Sequence, residues 1–428
     1  MNRKTNLPLP LSGLRVLDMT EVWAGPMCNT ILGDLGAEVI KVESFPRPSL
    51  TRLPGSSVGY SNNDEKASRP WDRAALHNMV NRNKYGITLN ITQKTGIELL
   101  ERLIQVSDVF SESFSAGTAL KLGIDYDSVR KNNPNIVMLS MSGWGTKGPY
   151  QGYAALGSTL DGFTGHHNIR GYPDTDASTT PIVQHIDSVA AVQGVFAILT
   201  ALHCRNRTGI GQWIDLSQVE AFLPHLGYYY MDYLFNNANP ARVGNSSSSL
   251  APYNCYRSKG DDEWIVINIS NEMEWLSLCI ATENPDWVTD TRFLNAKERV
   301  TNRESLDALL TAWTISKDKY DATKALQAVG ISAEPVLNDA EVYENPQLCY
   351  RNFFLDIPHD ATGKRRYPGF LWKMSKSEMT VRQGPNLLGE HQDYILSNLL
   401  GLSDKQIAEL HKQKIIGTSY PADSYYQV

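Results

Sequence analysis

LRVLDMTEVWAGPMCNTILGDLGAEVIKVE, residues 14–43, reads as strand, turn, helix and strand. Leu14 to Asp18 is a short apolar run of the kind a buried parallel strand carries. Pro26 follows Gly25 where a helix would begin; proline has no N–H to lose in a first turn, and its fixed φ suits one. The helix should run to about Leu35, and Val39 to Glu43 supplies the next strand, completing a β-α-β unit. The pattern recurs downstream. A helix over Gly96 to Val106 leads to the strand DVFSE at 108–112, and a helix before Asn133 leads to NIVMLSM at 135–141. Strands alternating with helices predict an α/β layered core.

A second stretch, HIDSVAAVQGVFAILTALHCRNRTGIGQWIDLSQVEAF at 185–222, reads as a long helix, a TGIGQ turn, the strand WIDLS and a helix from about Gln218. Its apolar part, Ser188 to Cys204, is shorter than a membrane span and contains Gln193, so a buried core helix is expected. Asp187 stands where an extended polar segment turns into this helix. Free backbone N–H groups and the helix dipole keep a carboxylate charged there, which makes it available as a nucleophile. On spacing alone the position reads first as a helix N-cap, where Asp and Ser are preferred in any protein.

With 428 residues, 42% hydrophobic and 20% charged, the chain exceeds one core, so a large and a smaller domain are expected. A net charge of −6 leaves no basic excess for neutralising nucleic-acid phosphates. MNRKTNLPLPLSG carries charge without an apolar core, so no secretory leader is read in it. Cys28, Cys204, Cys255, Cys279 and Cys349 are scattered without CxxC spacing, which indicates neither a disulfide framework nor a zinc site and fits a reducing cytoplasm. Around Pro240 the small polar residues of NNANPARVGNSSSSLAPY read as a linker or mobile loop. Beyond it, two β-rich arms flank Lys259, Gly260 and Asp261 as a hairpin, helices fill Glu272 to Val329, and ISAEPVL returns to strand character. The expected division is 1–225 with 331–428 as the large domain, 226–244 as linker and 245–330 as a small α+β domain. Neither GxGxxG after the first strand nor GxxxxGK[ST] occurs, which removes the usual dinucleotide and nucleoside-triphosphate cradles.

The opening stretch extended to LSG, NRNKYGITLNI at 81–91, DVFSESFSAGTALKLGIDY at 108–126, the Asp187 region with TGIGQWIDLS, and LLGEHQ at 387–392 fall in one order along the chain. In that order they resemble the family III CoA-transferases, which include the formyl-CoA, carnitine and bile-acid enzymes and the benzylsuccinate CoA-transferases. The resemblance implies a Rossmann-like CoA-binding domain with a smaller α+β domain, and two subunits interlocked as rings, either a homodimer or a pair with a paralogous subunit. It implies a CoA thioester as substrate, no permanently bound cofactor or metal, and no nucleic-acid or membrane partner.

It also assigns roles. Asp187 becomes the nucleophile. Trp23 and Ala24 lie beside CoA, with Trp23 replacing the family's Gln. Lys84, with Arg82 near it, coincides with a lysine that contacts a CoA phosphate, which needs a point charge. Ser113, Phe114 and Lys121 stand where the family has Asn, Phe and Arg, lining the CoA path and holding a phosphate. Trp144 is expected to close over the acyl group; apart from the resemblance, Arg170, if it faces the pocket, is the candidate to pair a second carboxylate of the substrate. The glycine-rich Ser142 to Gly148 is the candidate oxyanion cradle, and Gly244 to Ala251 the candidate lid. His166, His167, His185, Glu390 and His391 are left outside the site.

A carboxylate is a poor electrophile with a poor leaving group, so a covalent relay is needed. The resemblance supplies one, through an aspartyl-acyl mixed anhydride and an aspartyl-CoA thioester, with the order of steps open. Succinyl-CoA is the preferred donor, with an aryl-substituted or branched diacid as acceptor. An α-methylacyl-CoA racemase or epimerase would add a His in the stretch that here reads QGYAALGS. An intramolecular CoA-transferase and a non-catalytic CoA-binding subunit of a hetero-oligomer are the other readings.

Overall fold

The computed structural model describes residues 9–53, 69–377 and 379–421. The opening run read for a leader lies outside them up to residue 8. β1 (Arg15–Met19), α1 (Ala24–Asp34) and β2 (Glu38–Glu43) form the β-α-β unit of the opening stretch. There follow β3 (Lys84–Thr88), α2 (Lys94–Gln105), β4 (Val109–Glu112), α3 (Tyr126–Asn132), β5 (Val137–Ser142), α4 (Gly157–Phe163), α5 (His185–Thr208) and β6 (Trp213–Ser217). The six strands make one parallel sheet in the order β3-β2-β1-β4-β5-β6. The chain thus starts mid-sheet, runs outward to β3, then returns to the far side of β1. Connections leaving β1 and β4 diverge, opening a crevice at the C-terminal ends of these strands, where open α/β sheets bind ligands.

Both sheet faces are covered, which is why the strands read as apolar runs without alternation. On one face Leu17, Ile40, Phe110 and Met138 pack with Leu99, Leu100 and Leu103 of α2 and with Ile395, Leu396, Leu410 and Ile415 of the C-terminal segment. On the other, Val16, Val39, Val109 and Val137 pack with Cys28 and Leu32 of α1 and Ala190, Ala191 and Ile198 of α5. Each large side chain buried this way contributes roughly 1.5–3 kcal/mol. At Gly194 of α5 an added Cβ would stand 2.7 Å from Met141 Cε and 3.1 Å from Cys28 Sγ, so glycine lets this helix settle close on the sheet and α1. The apolar run of α5 is nevertheless not buried all round: Phe196 is 73% exposed and Val192 is exposed beside it.

The chain divides into two compact units, 1–164 with 182–231 and 352–428, and 165–181 with 232–351. The second unit holds β7 (Tyr253–Arg257), β8 (Trp264–Asn268), α6 (Glu272–Ala281), α7 (Arg303–Thr314), α8 (Lys319–Gln327) and β9 (Ser332–Pro335) around Tyr256, Ile267, Trp275 and Leu310. It extends past residue 330, the boundary read from the sequence, because β9 pairs with β8 and completes a three-stranded antiparallel sheet. Residues 165–181 also belong to it, and part of the stretch read as linker is a helix, Gly227–Asn236. In the first unit, β10 (Phe354–Ile357) and β11 (Arg365–Pro368) form an antiparallel hairpin.

Candidate active site

Asp187 is the third residue of α5; the N-cap is Gln184, and no side chain caps this helix. The cap role allowed by the sequence is therefore not the one Asp187 plays. The backbone N–H groups of Ala24, the first residue of α1, and of Asp187 itself face its carboxylate and favour the charged form. Only 7% of the residue is exposed. Burial pushes the carboxyl up to about 6, against the lowering effect of those two N–H groups. At neutral pH the group is thus mostly ionised yet poorly hydrated, a favourable state for a nucleophile.

The turn between β1 and α1 is held from several sides. Asp18 accepts from Thr20 N at 2.9 Å and Thr20 Oγ1 at 2.6 Å, and Glu21 N donates to Ser113 Oγ at 2.8 Å across to the end of β4. Lys41 donates its ammonium to the Thr20 carbonyl. An added Cβ at Gly25 would come within 2.3 Å of Thr20 Cβ, so the turn closes only with glycine there. Within this frame Val22 adopts φ +68°, a left-handed conformation unfavourable for a β-branched residue and sustained only because its neighbours are fixed.

At the crevice between the ends of β1 and β4 lies a cavity of about 510 Å³. That falls in the range of small-molecule sites. Its walls are the turn at Glu21 to Gly25, Ser113 to Ala116 after β4, Met141 to Trp144 after β5, the Tyr153 to Ser158 segment, Gln184, Gln218 and Asp187. Trp144 packs edge-on against Phe163 at 4.5 Å and Tyr150 at 5.5 Å. Its indole N–H and the Ser142 hydroxyl are shut from solvent and have no hydrogen-bond partner among the described residues.

The cavity therefore gathers Asp187, Trp23, Ala24, Ser113, Phe114 and Trp144. Arg82, Lys84, Lys121 and Arg170 do not line it. Lys84, expected on a phosphate, is fully buried: its ammonium donates to Asp18 Oδ2 at 2.9 Å, the Pro26 carbonyl at 2.7 Å and Asn81 Oδ1 at 2.9 Å. Three acceptors use up its three protons, so it has none for a phosphate. Arg82 forks onto Asp34 at 3.0 and 2.6 Å and donates to the carbonyls of Pro368 and Gly369 at 2.7 and 3.1 Å, which makes it a buried clamp. Lys121 is exposed at the end of the short helix Thr118–Lys121. Arg170 belongs to the second unit, where it donates to Pro181 O at 2.8 Å.

Of the expected oxyanion cradle, Ser142, Gly143 and Trp144 reach the cavity, while Thr146 N is bound to Asp215 Oδ1 at 3.1 Å. The expected lid lies in the second unit, where Gly244 N donates to Gly171 O at 2.9 Å and Arg303 donates to the Ser247 carbonyl. His391 accepts from Gly86 N at 3.2 Å and stacks edge-on with Tyr85, a packing role. Among the described residues no His/Cys/Asp/Glu group is arranged to hold a metal ion.

Sequence reasoning passed over Glu21, Gly157, Gln184 and Gln218, all in the cavity wall. Glu21 had one visible signal, an acidic residue in an otherwise apolar turn. Its carboxyl is raised by burial and accepts from the Ser49 hydroxyl.

Residues 11–392 match the family model described as CoA-transferase family III. The chain is 29% identical over 405 residues to succinyl-CoA:glutarate CoA-transferase of Homo sapiens, covering 94% of this chain and 88% of that protein. It is 32% identical to an acyl-CoA transferase of Fusarium pseudograminearum, covering 95% and 88%. Among solved structures, a CAIB/BAIF family protein from Brucella suis superposes with a TM-score of 0.82 at 30% identity, covering 92% of this chain and all of that one.

Proposed function

The chain belongs to CoA-transferase family III and is an enzyme of that kind, and from that premise we propose that Asp187 is the group through which CoA passes from a thioester to a free acid. Its carboxylate oxygen attacks the carbonyl carbon of the donor thioester; the C–S bond breaks, CoA leaves as the thiolate, and an aspartyl-acyl mixed anhydride remains. The thiolate attacks the aspartyl carbonyl, releasing the donor's carboxylate and leaving an aspartyl-CoA thioester. The acceptor carboxylate attacks that carbonyl, expelling the thiolate again. The thiolate then takes the acceptor's acyl carbon and frees Asp187. Every step exchanges one good leaving group for another, and charge is conserved throughout.

One observation carries this reading: a buried carboxylate raised to about 6 stands in the wall of a ligand-sized cavity at the sheet's switch point. Low hydration raises its nucleophilicity and protects an anhydride from water. The hydroxyl of Ser142 and the indole N–H of Trp144 are suited to hold an oxyanion or the acyl carbonyl. Succinyl-CoA is the proposed donor, supported by the name of the human relative. The proposed acceptor is an aryl-substituted or branched diacid, whose ring or branch would meet Trp144 and Tyr153 and whose second carboxylate would meet neutral donors such as Gln184 and Gln218. Pairing of subunits as interlocked rings belongs to the same proposal, supported by the exposed Phe196 and Tyr228 of the first unit. So does a cytoplasmic location.

Mass spectrometry of succinyl-CoA incubated with single free acids tests the assignment; a new acyl-CoA should form with aryl or branched diacids faster than with formate or oxalate. kcat/KM should rise with pH up to a limb near 6 and then level, because the attacking form is the carboxylate and ionisation is nearly complete one unit higher. A flat profile from pH 5 to 8 would remove Asp187 from the reaction.

A further inference from the structure

We infer that Gly157 is a positioning residue for the nucleophile, its missing side chain being the space in which the Asp187 carboxylate stands. The inference rests on the reading of Asp187 given above. A Cβ added at Gly157 would lie 2.0 Å from Asp187 Oδ2 and 3.2 Å from its Cγ, while the next neighbour, Ile186 Cγ2, is at an ordinary 3.5 Å. No left-handed backbone explains the glycine, since Gly157 is not among the residues with positive φ. Other glycines at the cavity differ: added Cβ atoms would meet Thr20 Cβ at Gly25 and Ala155 Cβ at Gly143, which are packing constraints. At Gly157 the obstructing atom is the reactive oxygen.

Neither partner is free to move without consequence. The start of α4 is fixed by Leu156 N donating to Thr159 Oγ1 at 3.0 Å, by Thr159 N and Leu160 N donating back to Leu156 O at 2.9 and 3.1 Å, and by Leu160, which is 1% exposed. Any accommodation therefore falls on the short Asp187 side chain, which must rotate away from Gly157. Rotation costs the fold little. It costs the reaction its aligned nucleophile, and a displacement of about 1 Å can lower a rate roughly 100-fold.

The test is Gly157→Ala, assayed for kcat, KM and the acid limb of the rate. Expected are a kcat lower by about 100-fold, a nearly unchanged KM for acyl-CoA and an acid limb moved below 6 as the carboxyl becomes hydrated. Glu21, the other carboxyl lining the cavity among the described residues, is the same in both proteins, so a moved limb reports Asp187. Wild-type kcat, or a limb left in place, would overturn the inference. Should the variant fold poorly, the same change in an Asp187→Ala background should fold as its parent does; misfolding there too would show that the obstruction is not the carboxylate. An inactive Asp187→Asn enzyme alongside a fully active Gly157→Ala enzyme sinks only this inference, whereas an active Asp187→Asn enzyme sinks the reading beneath it.

Discussion

Asp187→Asn is expected to reduce turnover by at least roughly 1000-fold while making the protein more stable at pH 8, because an amide oxygen cannot form the anhydride and carries no buried charge. The sign of the second effect follows from the direction of the titration. Burial raises the folded carboxyl to about 6, above its unfolded value, so the folded state holds the proton more tightly. The stability associated with the protonated form is complete below about pH 4 and is lost as pH rises through about 6. Above that, wild type bears the whole cost of a desolvated carboxylate. A gap of about two units corresponds to something on the order of 2–3 kcal/mol, which the Asn variant escapes. Urea unfolding at pH 8 and at pH 4 should therefore show the variant ahead at the first and level at the second. Equal stability at both, with activity retained, would mean that Asp187 is an ordinary surface-like carboxylate.

The second large effect concerns Lys84. Lys84→Met is expected to destabilise the fold by about 3–5 kcal/mol, since it strands the Asp18 charge in the core with Lys41 as its remaining ion-pair partner at 3.8 Å. Burial works to raise the Asp18 carboxyl, yet Lys41 and Lys84 together hold it below its ordinary range, so the pair is tightly interdependent. Loss of Lys84 also removes a donor from the Pro26 carbonyl in the first turn of α1. A thermal scan should show Tm lower by several degrees, with KM for acyl-CoA unchanged in the fraction that stays folded. The phosphate role implied by the family resemblance predicts the reverse, an unchanged Tm and a KM raised by about tenfold from one lost charge-assisted contact.

These two residues mark what could be read in advance. Strand, turn and helix around residues 14–43 were legible because local rules set them: an apolar run, a proline in the first turn, a second apolar run. Asp187 was legible as a carboxylate at a helix start, while Trp23, Ser113, Phe114 and Trp144 were legible only through the family resemblance; in the fold they follow strand ends at one crevice. Lys84 was not. A lysine beside a strand looks the same whether it faces water, a phosphate or a buried aspartate, and Asp18 lies 66 residues away in the chain. Gly157 was silent for the same reason, as its neighbour across the cavity wall is set by packing of α4 on α5. The boundary near 330 slipped because ISAEPVL reads as a strand whichever sheet it joins, and only pairing with β8 assigns it to the second unit.

The most direct measurement is a peptide map of the wild-type enzyme quenched with hydroxylamine during turnover of succinyl-CoA. A covalent relay predicts a hydroxamate on Asp187, absent when acyl-CoA is omitted and absent from the Asn variant. Full turnover with Asp187 unmodified, or with the label on another carboxyl such as Glu21, would contradict it.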